Sequence, residues 1–317
     1  LNENKSWKIK EQREKLRKDL DWKDSITKIL YRPFDERWIL YHDEMVERKR
    51  KDVMQHMLKE NIGLIFHKRE ELQIPYTHFM VTDKIIEHGG LSSKTTCYLA
   101  PLYLYPEIKE KKKNPLMQMM MFEPEVKYQS RQPNIKPLLF EELKKNFKNG
   151  VTPEEIFYYI YAVFYSKTYR TKYAEFLKMD FPRVPFTKNY KLFIQLGKVG
   201  KQLADLHLLK SKELDKTKIN FSQKGGNKVE RPKYEEEKVW INKEQFFNGV
   251  KEEVWNYQIG GYQVCEKWLK DRKERTLTLE EIQTYCKIVT ALSKTIELQN
   301  EIDKYFESVE KTVQQDN

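Results

Sequence analysis

A glutamate and a lysine two residues apart are the strongest candidates for catalysis in this sequence. In the segment "FEPEVKY", Glu125 and Lys127 match the end of an Asp…Glu-x-Lys pattern, in which carboxylates hold magnesium and a lysine supports the attacking water. The pattern also needs an upstream carboxylate at the end of a neighbouring strand, and residues 100–121 offer only Glu107 and Glu110 beside a lysine run. Because a short match without its structural context indicates little, a metal-dependent nuclease is kept as an alternative hypothesis.

Other catalytic signatures are missing from the sequence. No Gly-x-Gly is present, although loops that bind adenosylmethionine or dinucleotides need it for close approach of the backbone to the ligand. The segment "GKVGK" (residues 197–201) is too short for a phosphate-binding loop and falls inside an amphipathic helix, and no two prolines are adjacent. The histidines lack HExxH spacing and the cysteines lack CxxC spacing. We therefore expect no cofactor or metal in this chain, and whether it is an enzyme by itself stays uncertain.

The charge of the chain favours a polyanionic partner. Lysines and arginines exceed acids by 59 to 48, which gives a net charge of +11 and a pI near 9.2. The cations are clustered, because residues 210–233 carry eight of them against three acids, and "RKRK" (residues 48–51) and "KEKKK" (residues 109–113) add two further runs. Lysine runs are more often solvated surface than binding site, so charge alone leaves the partner open.

A double glycine inside an aromatic run, "YQIGGYQVCEKWLKDRK", marks a place where the backbone turns or approaches another group closely. The spacing predicts a tight exit from the strand "VWNYQI" into a helix, with Gly260 and Gly261 only secondarily contacting a phosphate. Apolar side chains of that helix are expected to face the core: Tyr262, Val264, Cys265 and Trp268. Cations of the same segment are expected to face solvent or DNA: Lys267, Lys270 and Arg272.

Strand patterns dominate the N-terminal third, and helical patterns dominate the centre. "ITKILYRPFDERWILYH" predicts two strands around Pro33, in a packing block where Arg32 and Asp35 could pair, and "RKDVMQHML" predicts a helix. Thr152 and Glu155 form a capping box with Pro153 between them, which predicts a helix start. Thr187 is expected to cap the helix "KNYKLFIQLGKVGKQLADLHLL".

The last third predicts a hairpin and a long helix. "KVERPKYEEEKVWIN" alternates around a turn near Glu235 to Glu237, and Thr278 and Glu281 form a second capping box before some nine turns of helix. The predicted class is α+β, with a single domain over residues 1–317. Its sub-parts are expected at residues 1–137 (mostly β), 138–210 (helical), 211–277 (β plus helix) and 278–317 (long helix).

Composition limits the class of protein. A hydrophobic fraction of 39% suits a globular chain with a real core, and no run of 18 apolar residues predicts a membrane span. An odd number of cysteines without paired spacing fits a reducing cytoplasm. The chain begins at Leu1 rather than at methionine, so we expect it to be a piece of a longer polypeptide.

Several blocks of the sequence resemble one known family. They are "ILYRPFDERWILYH", "HFMVTDKIIEH", "YLAPLYLYP", "YSKTYRTKYAEFLKMDFPRVPF" and "VWNYQIGGYQVCEKWLKDRK". In this order they resemble the C-terminal region of bacterial type ISP restriction-modification enzymes and related adenine-specific DNA methyltransferases. The resemblance runs from about residue 26 to about residue 303.

The resemblance implies a target recognition domain that reads a sequence in double-stranded DNA. It also implies an upstream methyltransferase domain of the same polypeptide, which would bind S-adenosylmethionine. This sequence departs from the family at "KDRKERTL", where a glycine commonly precedes the arginine and Glu274 stands instead. The turn is therefore in question, and a carboxylate could lie where a phosphate would approach.

A recognition domain needs cations that hold phosphates and polar side chains that read base edges. The candidates for phosphate binding are Lys49, Arg50, Lys218, Lys224, Gly225, Gly226, Lys228 and Lys270. The candidates for base reading, expected on exposed segments, are His67, Lys68, Arg69, Ser92, Ser93, Lys94, Gln223 and Asn227. A second alternative is a protein-interaction module that uses the long C-terminal helix, which deletion beyond about Glu297 would test.

Overall fold

The computed structural model describes residues 8–69, 75–106, 131–147, 150–222 and 224–314. The predicted α+β class is confirmed: small sheets form the N-terminal part, helices the centre, and a four-stranded antiparallel sheet and a long helix follow. Within these ranges, no helix is both long and apolar enough to cross a lipid bilayer. The predicted division into sub-parts of one domain stays a prediction.

The N-terminal part consists of short strands with two α-helices among its described residues. The helices are α1 (Ile9–Leu16) and α2 (Lys51–Met57), and the strands are β1 (Ile26–Arg32), β2 (Asp35–Leu40), β3 (Gly63–Phe66), β4 (Met80–Thr82), β5 (Ile85–Ile86), β6 (Tyr98–Pro101), β7 (Tyr103–Leu104) and β8 (Gln132–Pro133). β1 and β2 form the predicted hairpin, and β5 pairs with β1 in parallel. A second sheet has the antiparallel order β4-β3-β6, and β7 pairs with β8.

The central helices pack against one another. They are α3 (Pro137–Asn146), α4 (Pro153–Tyr165), α5 (Lys167–Lys172), α6 (Ala174–Met179) and α7 (Tyr190–His207). The capping box of Thr152 and Glu155 is confirmed at the start of α4. The cap predicted for α7 is wrong by two residues, because Asn189 accepts the N–H of Leu192 whereas Thr187 accepts the N–H of Asn189.

The segment "GKVGK" lies inside α7, as predicted, and contributes to the packing of α7 against α4. A Cβ atom at Gly200 would lie 1.9 Å from the backbone oxygen of Tyr158, so only glycine allows α4 and α7 to approach so closely at this point. Most of the predicted apolar stripe of α7 is buried along this contact, including Phe193, Leu196 and Leu203. The glycines therefore belong to a helix contact in the core.

The C-terminal part contains the predicted hairpin. Its strands are β9 (Asn220–Phe221), β10 (Lys233–Glu235), β11 (Lys238–Trp240), β12 (Phe246–Asn248), β13 (Gln258–Ile259) and β14 (Tyr262–Gln263), and its helices are α8 (Glu252–Trp255), α9 (Val264–Lys270) and α10 (Leu279–Gln314). The sheet order is β10-β11-β12-β9, and Glu236 and Glu237 form the turn between β10 and β11. Both turn residues have positive φ, as two-residue hairpin turns require.

The double glycine forms the turn of a hairpin between β13 and β14. The prediction that it leads from a strand directly into a helix is therefore wrong, because β14 lies between the turn and α9. Gly260 has φ of 61°, and a Cβ atom there would lie 1.9 Å from the backbone oxygen of Leu91. The N–H of Gly261 donates to that same oxygen at 2.7 Å, and the N–H of Gly260 donates to the oxygen of Thr77 at 2.9 Å. Because these N–H groups bond to protein, the turn is scaffolding that fastens β13–β14 to the N-terminal part.

The prediction that Arg272 faces solvent or DNA is wrong, because its side chain is buried. Its Nη2 lies 2.9 Å from Oδ1 of Asp35, its Nε lies 3.2 Å from Glu281, and its guanidinium stacks on Trp268. Asp35 is 1% exposed, and a buried carboxylate requires such partners because desolvation penalises its charge.

The predicted pairing of Arg32 with Asp35 is also wrong. The Nη1 atom of Arg32 lies 2.5 Å from Glu87, whereas Asp35 bonds to Arg37 and Arg272. The Asp35–Arg272 bond joins the first hairpin to the end of α9, residues that the sequence separates by 237 positions.

The long helix α10 is a core element. Its first half contributes Ile288, Leu292 and neighbours to the hydrophobic cluster around β10–β12 and α9, and its second half contributes Ile302, Phe306 and Val309 to the cluster around α4 and α7. The capping box of Thr278 and Glu281 is confirmed at its start. Among the side chains of α10 that the structure describes, there is no free apolar face of the kind that the interaction-module alternative needs.

Candidate nucleic-acid interface

Two predicted cation segments meet beside β10 and α9. The N–H of Glu274 donates to the oxygen of Val229 at 2.7 Å, the N–H of Val229 donates to the oxygen of Arg275 at 2.9 Å, and Lys228 bridges to Thr276. An open groove next to this junction is lined by Arg231, Lys233, Lys270 and Lys273 together with Glu230 and Glu266. We call the exposed cations of these segments the basic surface: Lys224, Lys228, Arg231, Lys233, Lys270 and Lys273.

A buried glutamine holds the loop that begins the basic surface. Gln245 is fully buried; its Oε1 accepts the N–H of Asn227, and its Nε2 donates to Oδ1 of Asn227, both at 2.7 Å. A Cβ atom at Gly225, where φ is 127°, would lie 2.5 Å from the Gln245 side chain, so this glycine is needed for an internal contact. At Gly226 no described atom lies within 4 Å of the Cβ position. Gly226 therefore leaves room for a ligand at this loop.

Lys228 already has an anionic partner in the basic surface. Its Nζ lies 2.8 Å from Oε2 of Glu274, and the two side chains are 50% and 61% exposed. The hydrogen bond between them raises the pKa of Lys228 and lowers the pKa of Glu274. Glu274 has φ of 64°, so the turn has the left-handed conformation even though the residue is not glycine.

Of the two remaining predicted phosphate ligands in the C-terminal part, Lys270 belongs to the basic surface and Lys218 does not. Lys270, at the end of α9, is 56% exposed and pairs with Glu266 at 2.8 Å. Lys218 follows Thr217, whose hydroxyl bonds to Thr290 on α10. Thr290 lies eleven positions after Leu279, where α10 begins, which is about 17 Å along the helix axis. Lys218 thus lies well away from the junction that forms the basic surface.

Lys49 and Arg50 lie at the start of α2, in the N-terminal part. Lys49 and Lys51 both reach Asp43, at 3.3 Å and 2.8 Å, so one carboxylate partly neutralises this run. Arg50 is exposed and has φ of 51° at the N-cap position of α2. These cations form a separate patch.

The predicted base-reading residues of the N-terminal part come together in two adjacent loops, which we call the loop pair (residues 67–69 and 92–96). Nδ1 of His67 lies 2.8 Å from the hydroxyl of Thr95, and Nε2 of His67 lies 3.2 Å from Sγ of Cys97. His67 and Ser92 are both fully buried. Their predicted exposure is therefore wrong: His67 joins the two loops, and the Ser92 hydroxyl accepts the N–H of Lys94.

Four predicted base readers remain accessible on the loop pair: Lys68, Arg69, Ser93 and Lys94. Arg69, Ser93 and Lys94 are exposed, whereas Lys68 is partly covered. The Nζ atom of Lys68 lies 4.9 Å from the ring centre of Phe181 and 4.0 Å from Asp180.

An aromatic cluster beside the loop pair was not predicted. Tyr98 stacks on Phe66 with 6.2 Å between ring centres and meets Phe181 edge-on at 5.2 Å. Tyr98 and Phe181 are each 41% exposed, which leaves ring surface available next to Lys68. The sequence block "FPRVPF", which contains Phe181, predicted packing only. Neither this Pro-rich pattern nor the strand pattern around Tyr98 indicates that the two rings meet at the surface.

The hairpin β13–β14 and α9 connect the loop pair to the basic surface. The glycine turn bonds to Leu91, which directly precedes Ser92, while Lys270 stands at the far end of α9. Seven helical residues span about 10 Å. The spacing between the two candidate contact regions is therefore set by a short rigid element.

Three candidates lie outside the described residues: Gln223, Glu125 and Lys127. Among the residues that the structure does describe, no group of three or more His, Cys, Asp or Glu side chains is arranged to hold a metal ion.

Comparison with known proteins identifies a family and a fold. The family model of the Type ISP C-terminal specificity domain matches residues 1–301. No curated protein matches the chain. The fold is similar to that of the ATP-dependent Type ISP restriction-modification enzyme LlaBIII bound to DNA, with a TM-score of 0.66 and 18% identity over 88% of this chain and 18% of that chain.

Two further solved structures share the fold. A nuclease-deletion mutant of the Type ISP restriction-modification enzyme LlaGI, in complex with a DNA substrate mimic, has a TM-score of 0.60 and 18% identity over 87% of this chain and 20% of that chain. A DrdV–DNA complex has a TM-score of 0.67 and 20% identity over 88% of this chain and 28% of that chain. This chain thus spans less than a third of the length of each of these three structures.

Proposed function

The chain belongs to the Type ISP C-terminal specificity domain family, and from this premise we propose that it recognises a specific sequence in double-stranded DNA. The observation that carries the proposal is the family match over residues 1–301. It is supported by the solved structures of similar fold that contain DNA and by a basic surface that is built next to exposed polar loops.

The basic surface supplies the contacts that do not depend on sequence. Lys224 and Lys270 are exposed, and the open position at Gly226 leaves room for a phosphate near Lys224. Lysine side chains that neutralise phosphates release counterions, which makes binding strongly dependent on salt. These residues are proposed to hold the duplex in position rather than to select its sequence.

The loop pair supplies groups that discriminate bases. Arg69 and Lys94 offer the donors that pair with the O6 and N7 acceptors of guanine, and the Ser93 hydroxyl both donates and accepts. The rings of Tyr98 and Phe181, which lie next to the ammonium group of Lys68, add an apolar surface suited to a thymine methyl group. Gln223 and Asn227 are retained as further candidates, although Asn227 Oδ1 is already bonded to Gln245.

The chemistry of the whole protein is proposed to lie outside this chain. The solved chains of similar fold are several times longer, and two are restriction-modification enzymes. We infer that this domain presents DNA to an upstream methyltransferase domain of the same polypeptide, which binds S-adenosylmethionine and works on adenine in the bacterial cytoplasm. All three cysteines are free and buried, which agrees with a reducing compartment.

Alanine substitutions separate the two kinds of contact. Lys270→Ala is expected to weaken binding to every duplex and to make the negative slope of log K against log salt shallower by about 0.9. Arg69→Ala is expected to relax the preference at one base pair by about 1–3 kcal/mol while leaving the preference elsewhere unchanged. Fluorescence anisotropy with a duplex series at several salt concentrations measures both effects.

Lys201→Ala is the matched control for these substitutions, because Lys201 is an equally exposed lysine that pairs with a carboxylate within α7. The proposed interface is contradicted if the Lys270 and Lys201 variants show the same salt slope as the wild type.

A further inference from the structure

Glu274 occupies a position that its side chain does not favour. Its φ of 64° lies in the left-handed region, which for a residue other than glycine, asparagine or aspartate is uncommon. Hydrogen bonds on either side fix this backbone, since the N–H of Glu274 donates to Val229 and the N–H of Arg275 donates to the oxygen of Arg272. A glutamate held in this conformation on an exposed turn calls for an explanation beyond packing.

The carboxylate points at one cation of the basic surface. Oε2 of Glu274 lies 2.8 Å from Nζ of Lys228. The side chain of Lys228 is 50% exposed and that of Glu274 is 61% exposed. The other charged groups that border the pair are Lys273, Arg275 and Glu230. Arg275 is in turn paired with Glu281 at 3.0 Å, so among the bordering cations it is Lys228 with which Glu274 forms an ion pair.

We propose that Glu274 limits the affinity of this domain for DNA by neutralising Lys228. A phosphate that approaches Lys228 must displace the carboxylate and then remain close to a negative charge. The pair therefore removes one cation from sequence-independent binding until base contacts stabilise the complex. This inference rests on the proposed function and assigns a role to one ion pair within it.

The test compares variants that separate the charge of Glu274 from its backbone conformation. Glu274→Gln removes the charge and keeps the shape of the side chain. Glu274→Gly removes the charge and also the steric strain that a side chain causes at positive φ. Either variant is expected to bind a duplex of arbitrary sequence several-fold more tightly at low salt. The slope of log K against log salt is expected to steepen by about 0.9, the value for one additional phosphate contact.

A double-mutant cycle shows whether the effect acts through Lys228. In a Lys228→Ala background, Glu274→Gln is expected to leave the salt slope unchanged. Asp205→Asn is the matched control, because Asp205 forms a comparable surface pair with Lys201 on α7 and its removal changes the net charge by the same amount. Thermal unfolding followed by circular dichroism checks that each variant is folded. If Glu274→Gln does not fold, Glu274→Gly replaces it in the comparison.

The possible outcomes are distinct. A steeper slope that depends on Lys228 supports the inference. An unchanged slope in Glu274→Gln, or an equal change in Asp205→Asn or in the Lys228→Ala background, overturns it while leaving DNA recognition intact. A wild-type chain that binds no duplex overturns both the inference and the proposed function.

Discussion

At the scale of the residue, His207 joins three helices within the hydrophobic interior. Its Nδ1 bonds to the hydroxyl of Tyr161 on α4, and its Nε2 lies 2.9 Å from the hydroxyl of Thr295 on α10. Burial, with a smaller contribution from the charge of Arg170, lowers the pKa of His207 to about 3. The imidazole is therefore neutral in the folded protein throughout the physiological range.

This histidine makes stability depend on pH. Because the pKa of His207 falls from about 6.5 in the unfolded chain to about 3 in the folded one, the unfolded state binds an extra proton between these values. Stability is thus lost as pH falls below about 6.5, with a slope from this group of at most about 1.4 kcal/mol per pH unit. Urea unfolding of His207→Gln should show a flatter dependence between pH 6.5 and pH 4.

The control for this prediction is His88→Gln, which makes the same substitution at an exposed histidine. If His207→Gln retains the full slope over that range, the assignment of the effect to His207 is incorrect.

Two glycines offer a matched test of close backbone packing. Gly260→Ala places a methyl group against the backbone oxygen of Leu91, 1.9 Å away, in a turn with positive φ, and we expect a loss of about 2–4 kcal/mol in the free energy of unfolding. Gly226→Ala meets no atom of the described residues within 4 Å, so the free energy of unfolding should change by less than about 0.5 kcal/mol. Denaturant unfolding monitored by tryptophan fluorescence measures both, and equal effects would contradict the role assigned to Gly260.

At the scale of the element, α10 contributes side chains to two hydrophobic clusters. Its first half packs on the C-terminal sheet and its second half packs on the central helices. Additional bonds hold its second half, because Asp303 accepts the hydroxyl of Ser166 and the N–H of Thr168 at the start of α5. We therefore expect the stability of the fold to depend on α10.

A core substitution in α10 distinguishes this role from that of a docking helix. Phe306 is fully buried, and Phe306→Ala is expected to lower the free energy of unfolding by about 3–5 kcal/mol. Leu279→Ala, at an exposed leucine in the first turn, should be nearly neutral. Thermal unfolding provides the comparison, and a Phe306 variant as stable as the Leu279 variant would indicate a helix that is free to bind partners.

Local chemistry made some elements predictable. The capping boxes of Thr152 and Thr278 and the turn at Glu236 and Glu237 depend on neighbouring residues only, and all of them are found in the structure. Pairings between distant segments were not predictable, because no local pattern specifies that Arg272 reaches Asp35 or that Gly260 meets Leu91.

The same limit applies to the candidate interface. Clustering of lysines along the chain indicated the segment that carries Lys224 and Lys228, whereas burial of His67 and Ser92 depends on how two loops pack. The cluster of Tyr98 and Phe181 depends on three segments that the sequence separates widely.

At the scale of the whole molecule, one framework carries the residues of both proposed kinds of contact. The N-terminal part carries the loop pair, the C-terminal part carries the basic surface, and the β13–β14 hairpin with α9 fixes their spacing. We propose that base contacts from the loop pair and phosphate contacts from the basic surface act on one duplex. We expect specificity to come from the first region and salt-dependent affinity from the second.

The central claim is that the chain recognises a specific DNA sequence, and selection from a random duplex library tests it most directly. Repeated binding and sequencing should enrich one motif, and the selected duplex should bind at least about a thousand-fold more tightly than a scrambled one, with affinity that falls steeply with salt. Equal affinity for every duplex, or binding that salt does not weaken, would contradict the account.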